Sequence, residues 1–164
     1  MSEVTNLINV LSEDEISRIQ HEIDLLPDAQ SAAIEALQII QDARGWISDE
    51  SLQAVAKMLG MSSSQLDSIA TFYNLLYRLP VGKHVVNVCD SVSCFVMGSD
   101  RLMQRVCESL DVELGQTTQD QEFTLIPSVC LGACDRAPVL MIDKTLFGRG
   151  ETEDLASVFK RFTE

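Results

Sequence analysis

Four of the five cysteines in this 164-residue chain fall into two close pairs, Cys89 with Cys94 and Cys130 with Cys134. Four residues separate the first pair and three the second. Thiolates at such spacing bind soft metals or exchange disulfides. Each pair lies in a stretch with flexible residues, Asp90-Ser91-Val92-Ser93 in the first and Leu131-Gly132-Ala133 in the second. Structural zinc sites draw tight knuckles with two residues between paired ligands, and neither pair has that spacing. A thiol–disulfide oxidoreductase wants Cys-x-x-Cys ahead of a helix, so that the dipole lowers the nucleophile's pKa; that motif is also missing. Looser loops suit a centre wider than one ion, and four thiolates suffice for a [2Fe–2S] cluster. A Rieske centre needs two histidines on one iron, and His21 and His84, the only two, lie outside the ligand stretches. Zinc held by the same four cysteines stays open as the weaker alternative.

Residues around the pairs are candidates for tuning such a centre. Gly132, between two ligands, would let backbone amides approach the sulfurs; a plain turn glycine is the bland alternative. Asp90 and Asp135 disfavour added negative charge and push the potential down, whereas Arg136 pulls it up. Cys107 stands apart. It shares an apolar helical face with Val106 and Leu110, where a small buried hydrophobe explains it.

These loops need elements to carry them. His84-Val85-Val86-Asn87-Val88 is a β-branched run leading into Cys89, and Phe123-Thr124-Leu125-Ile126-Pro127 leads toward Cys130. Two strands joined through a helix are expected to be parallel, so that both loops emerge at one edge of the sheet. The intervening stretch reads as loop to Gly98, then a helix capped by Ser99 with Leu102, Met103, Val106, Cys107 and Leu110 inward. Val139–Ile142 and Thr145–Phe147 form a hairpin turning at Asp143-Lys144, and a last helix buries Leu155, Val158, Phe159 and Phe162. The order β-α-β-β-β-α fits an α/β, thioredoxin-like sandwich over residues 80–164.

Residues 1–79 read as a small helical bundle. Ser12, Ser48 and Ser62 each begin a capping pattern, with Glu15 and Gln65 closing the first and third boxes. Four helices are expected: one with Ile16, Ile19, Ile23 and Leu26 ending at Pro27; one from about Gln30 to Arg44, stopped by Gly45; one carrying Leu52, Val55, Ala56 and Leu59 and ending at Gly60; and one with Leu66, Ile69, Ala70 and Tyr73, running toward Leu76. Trp46 and Thr71-Phe72-Tyr73 are expected in the core, with docking to a partner as the alternative.

A net charge of −13 repels phosphates and anionic lipid surfaces, which sets aside nucleic acid and membrane as partners. No run approaches the ~20 apolar residues of a membrane span. Met1-Ser2-Glu3 lacks the basic flank of a secretory signal, so a cytoplasmic location with reduced thiols is expected. Gly148-x-Gly150 is too short for a nucleotide fingerprint, so NADH and flavin are not expected to bind this chain itself.

The stretches Cys89–Cys94 and Cys130–Asp135 closely resemble the thioredoxin-like [2Fe–2S] subunits of bacterial NADH:quinone oxidoreductase, the E subunits of respiratory complex I. Gly45-Trp46, Ala70-Thr71-Phe72-Tyr73, Pro80-Val81-Gly82 and Pro138 with Met141-Ile142-Asp143 carry the likeness over nearly the whole chain. It implies a thioredoxin-like [2Fe–2S] ferredoxin domain behind a helical bundle, with Cys89, Cys94, Cys130 and Cys134 as ligands of one [2Fe–2S] cluster. It also implies a place in the peripheral arm on the cytoplasmic face of the inner membrane, beside a partner subunit that holds FMN and oxidises NADH. Related subunits serve NAD-reducing hydrogenases and NAD-linked formate dehydrogenases. Ala137 departs from the family's frequent glycine after the last ligand. A contrasting class is a non-catalytic adaptor in which the metal only staples the fold. Serine at any of the four ligand positions is expected to abolish the visible absorption of the purified protein, while Cys107→Ser keeps it; loss in the Cys107 variant contradicts the four-plus-one assignment.

Overall fold

The computed structural model describes residues 10–149, 152 and 154–163. The chain divides between Pro80 and Val81 into two compact units.

In the first unit the helices are α1 (Glu13–Leu25), α2 (Ala33–Arg44, preceded by a 3₁₀ turn at Ala29–Ala32), α3 (Asp49–Leu59) and α4 (Ser63–Phe72). Local chemistry sets their ends. Ser12 and Ser62 form reciprocal capping boxes with Glu15 and Gln65. Ser48 caps Ser51 N–H without the reciprocal bond. Gly60 takes the left-handed conformation at φ 64°, which ends α3 and returns the chain. The core is Ile19, Ala33, Ala36, Leu37, Ile40, Leu52, Val55, Ala56, Leu59, Leu66 and Ala70.

Three expectations change here. The helix expected from Gln30 is 3₁₀ through Ala32, because Asp28 caps Gln30 N–H and the regular helix starts at Ala33. α4 ends at Phe72 rather than running toward Leu76, and Leu76 folds back so that Leu75 O and Tyr77 N–H bond the Gln41 amide at 2.8 and 2.7 Å. That inward Gln41 thus serves backbone groups. Phe72 is 80% exposed and Tyr73 42%, so neither is a core aromatic.

Arg44 ties the bundle together. Its guanidinium donates to Glu15 Oε1 and Oε2 at 2.7 and 2.6 Å, to Ser51 Oγ at 3.0 Å and to Val10 O at 2.7 Å. Those Arg44 hydrogen bonds are the main cause holding the buried Glu15 carboxyl below its ordinary range, against the opposing effect of burial.

The second unit contains β1 (His84–Cys89), α5 (Val92–Val96), α6 (Ser99–Leu110), β2 (Phe123–Ser128), β3 (Leu140–Ile142), β4 (Thr145–Phe147) and α7 (Leu155–Thr163), with a 3₁₀ turn at Cys134–Arg136. The sheet order is β2-β1-β3-β4. β1 and β2 are parallel, and β3 is antiparallel to both β1 and β4. Val86 and Val88 point to one face and pack with Leu125, Leu140 and Ile142 against Leu102 and Val106 of α6 and Leu155, Val158 and Phe159 of α7. Val85, Asn87 and Cys89 take the other face.

The hairpin turn without glycine works because Asp143 tolerates φ 53°. Its carboxylate accepts from Val85 N–H at 3.0 Å and meets His84 Nδ1 at 2.7 Å, which locks the turn to β1. Two local readings are corrected. Residues 92–96 are helical rather than loop, and Gly98 at φ 95° is the N-cap of α6, with Ser99 buried as its first residue.

Because the folded-state pKa of Glu15 is depressed, the ion pair's contribution is full above the ordinary value of 4.5 and is lost as pH falls through the folded pKa. Arg44→Met is expected to destabilise the first unit by about 2–4 kcal/mol at neutral pH, since it leaves a buried carboxylate unpaired. Denaturant unfolding followed by the single tryptophan, Trp46, reads this. A loss under about 0.5 kcal/mol, or one that does not shrink in acid, contradicts the role given to the pair.

Candidate metal centre

Parallel pairing brings the two ligand stretches to one edge. Cys89 ends β1 opposite Ser128, which ends β2, and Cys130 follows two residues later. Asp90 N–H donates to Ser128 O at 3.0 Å, so both loops leave the sheet side by side. Cys89 N–H donates to Val139 O at 3.1 Å, which draws in the segment returning from Cys134. Residues 137–138 of that segment, Ala137 and Pro138, are joined by a cis peptide bond.

Cys94 sits in α5, a single short helix whose other side chains Val92, Phe95 and Val96 are exposed. Cys89 and Cys94 are buried, each 1% exposed, in an apolar cradle with Ala133, Ala137 and Val139, against which Leu131 and Leu146 pack. Cys130 and Cys134 lie at the exposed rim. Their sulfurs are 3.5 Å apart. All five cysteines are free thiols, and Cys107 is half-buried on α6, apart from this cradle.

The sulfurs form one electrostatic set. Burial first, then a hydrogen bond with Cys89, pushes the Cys94 thiol up to about 11, with the Val139 backbone opposing and the charges of Cys89 and Cys134 adding. The Cys134 thiol is raised by its hydrogen bond with Cys130 and by the charges of Cys130 and Cys89. The Cys130 thiol is lowered, above all by Gly132 N–H, which donates to its sulfur at 3.4 Å. Four thiolates cannot share this spot without a counter-charge, and iron supplies one. Among the described residues no group of three or more His, Cys, Asp or Glu side chains is arranged to hold a metal ion. The thiols fall into a buried pair, Cys89 and Cys94, and a rim pair, Cys130 and Cys134, whose sulfurs are 3.5 Å apart. An all-thiolate, paired donor set of this kind fits a [2Fe–2S] cluster.

The tuning candidates fare differently. Gly132 adopts φ 79°, and a Cβ there would meet nothing within 4 Å. Glycine is therefore demanded by conformation, and that conformation aims its N–H at Cys130; crowding plays no part. Asp90 and Asp135 are exposed beside the ligands, where solvent screens them. Arg136 is exposed too, with its Cβ and Nε lying over Gly148. Sequence reasoning misses one residue. Ser93, on α5, hydrogen-bonds Cys134 of the second ligand stretch. Its place beside Cys94 is a local signal; its partner, far along the chain, is not.

Comparison with known proteins gives the family. The profile of the thioredoxin-like [2Fe–2S] ferredoxins covers residues 19–163. The NADH-quinone oxidoreductase E subunit of Pseudomonas aeruginosa is 42% identical, over 93% of this chain and 92% of its own. Its counterpart in Escherichia coli is 40% identical over 93% and 92%. Among solved structures, an NAD⁺-reducing [NiFe]-hydrogenase superposes with a TM-score of 0.66 and 19% identity over 80% of this chain, which spans 22% of that one. This last likeness concerns the fold alone. The chain belongs to the thioredoxin-like [2Fe–2S] ferredoxin family, in the group of the NADH-quinone oxidoreductase E subunits.

Proposed function

We propose that this chain is the electron-carrying subunit of an NADH-quinone oxidoreductase, holding one [2Fe–2S] cluster through Cys89, Cys94, Cys130 and Cys134. What supports the reading is that two loops far apart in sequence leave one edge of the sheet together, with Cys89 and Cys94 in an apolar cradle and Cys130 and Cys134 at the exposed rim. Cys89, Cys94, Cys130 and Cys134 would hold the cluster, which would supply one-electron transfer at this site.

The protein's own residues set the conditions for that exchange. The cradle of Ala133, Ala137, Val139, Leu131 and Leu146 excludes water from Cys89 and Cys94. Low local polarity disfavours added negative charge, so it lowers the potential. Gly132 N–H and the Ser93 hydroxyl act in the opposite sense, because donors to thiolate sulfur stabilise the more negative state. Asp90 and Asp135 lower the potential, weakly because they are exposed, and Arg136 raises it.

Electrons must come from a neighbour, since the chain carries no nucleotide-binding glycine fingerprint. The partner in this reading is the subunit that holds FMN and oxidises NADH, within a peripheral arm on the cytoplasmic face of the inner membrane. Among the described residues no helix is long and apolar enough to cross a membrane. Exposed Val92, Phe95, Val96 and Val129 beside the ligands supply an apolar rim of the kind that docks a partner.

Isolation of the native assembly tests this. The chain is expected to co-elute with an FMN-bearing protein, and NADH is expected to bleach part of the iron–sulfur absorption. A colourless, zinc-loaded chain eluting alone overturns the reading. A second measurement addresses tuning. Ser93→Ala is expected to lower the midpoint by about 20–60 mV, the equivalent of one hydrogen bond, with Ser93→Thr near the starting value. Asp90→Asn and Asp135→Asn are expected to raise it. Shifts of the opposite sign in redox titration contradict the assignment of these groups.

A further inference from the structure

We infer that Gly148 is a positioning residue for the metal centre: its missing side chain lets the segment after β4 seat on the turn that carries Cys134. The inference rests on the cluster reading above. A Cβ at Gly148 would stand 2.9 Å from Arg136 Cβ, 2.9 Å from Arg136 Nε and 3.3 Å from the Arg136 carbonyl oxygen. The first of these atoms is fixed to the backbone. Accommodating a methyl group therefore means moving the turn, not merely swinging a side chain.

Conformation does not require glycine here. Gly148 lies outside the left-handed region that Gly132 occupies, so its backbone is open to other residues. Only the close approach of Arg136 excludes a side chain. One backbone hydrogen bond joins the two segments beside that contact, and further bonds brace each segment internally. Arg149 N–H donates to Arg136 O at 3.0 Å, and buried Thr152 returns its N–H to Gly148 O and its hydroxyl to Arg149 O, each at 3.1 Å. Within the turn, Arg136 N–H donates to Ala133 O at 3.0 Å and Ala137 N–H to Cys134 O at 3.4 Å. The positions of Arg136 and Cys134 are thus set together. Cys134 in turn touches Cys130 and hydrogen-bonds Ser93, so its displacement reaches both ligand loops.

Gly82 offers an internal control. It is as crowded, with a Cβ placed 2.8 Å from Gln121 O, but it precedes the start of β1, the end of the strand opposite Cys89. A side chain there strains the sheet without touching a ligand loop.

The test uses the iron-loaded protein and three variants: Gly148→Ala, Gly82→Ala, and Gly148→Ala combined with Arg136→Gly. The readouts are the EPR g-values of the dithionite-reduced protein, iron retained against a chelator, and the melting temperature. Gly148→Ala is expected to shift the g-values and to weaken iron retention about tenfold. Gly82→Ala lowers the melting temperature and leaves the g-values unchanged. Arg136→Gly, which removes both side-chain atoms at 2.9 Å, restores g-values and retention in the Gly148→Ala background. Unchanged g-values and retention in Gly148→Ala overturn the inference, as does failure of Arg136→Gly to restore them. If Gly148→Ala alone does not fold, recovery of a folded, iron-loaded double variant supports it and non-recovery overturns it. Absence of iron from the unsubstituted protein is a distinct failure: it overturns the cluster reading itself.

Discussion

Register between β1 and the parallel β2 is the constraint on which the rest of the second unit depends. Pairing His84 with Phe123 and Cys89 with Ser128 brings two loops to the same edge although some forty residues part them. A slip of one residue would turn Cys89 from the cradle to the face packed on α6 and α7. Val86 and Val88 oppose that slip, because it would withdraw them from the core face packed on α6 and α7 and put the Asn87 amide among aliphatic side chains there. The apolar core thus fixes the metal site by fixing the strand. Asp143 reinforces the same register from the far end, bonding both His84 and Val85.

Within the site two opposing effects are balanced. Burial of Cys89 and Cys94 among alanine, valine and leucine side chains penalises charge, and crowding adds mutual repulsion among the sulfurs. Backbone and hydroxyl donors at Gly132, Val139 and Ser93 work against both. Neither set alone would serve. An apolar cradle without donors would resist ionised thiols, and an open polar site would leave the centre to water. The buried pair and the rim pair also differ in access, since Cys130 and Cys134 face outward beside the exposed residues of α5.

Much of this architecture is legible in the amino-acid order, for reasons that are local. Serine caps answered three residues on, the glycines ending α2 and α3, and the β-branched run before Cys89 act within a few residues, and each is found where its chemistry places it. The cysteine spacing likewise restricts the metal before any fold is known. What escapes such reading depends on distant contacts. α5 is unreadable in Val-Ser-Cys-Phe-Val, a β-prone pentapeptide with no side-chain cap, whose one buried side chain, Cys94, packs with Cys89 and Val139 from distant segments. The exposure of Phe72 follows from where α4 stops, which Gln41 decides by claiming the following backbone. The need for glycine at position 148 comes from Arg136, on another segment, and leaves no local trace.

The central claim is that these two loops enclose a pair of irons in an all-sulfur shell. Mössbauer spectroscopy of ⁵⁷Fe-labelled protein tests it most directly. The account predicts a single diamagnetic ferric signal for the oxidised protein, two irons per chain, resolving into one ferric and one ferrous site after one-electron reduction. An isolated single-iron spectrum, or full zinc occupancy with no iron signal, would contradict it.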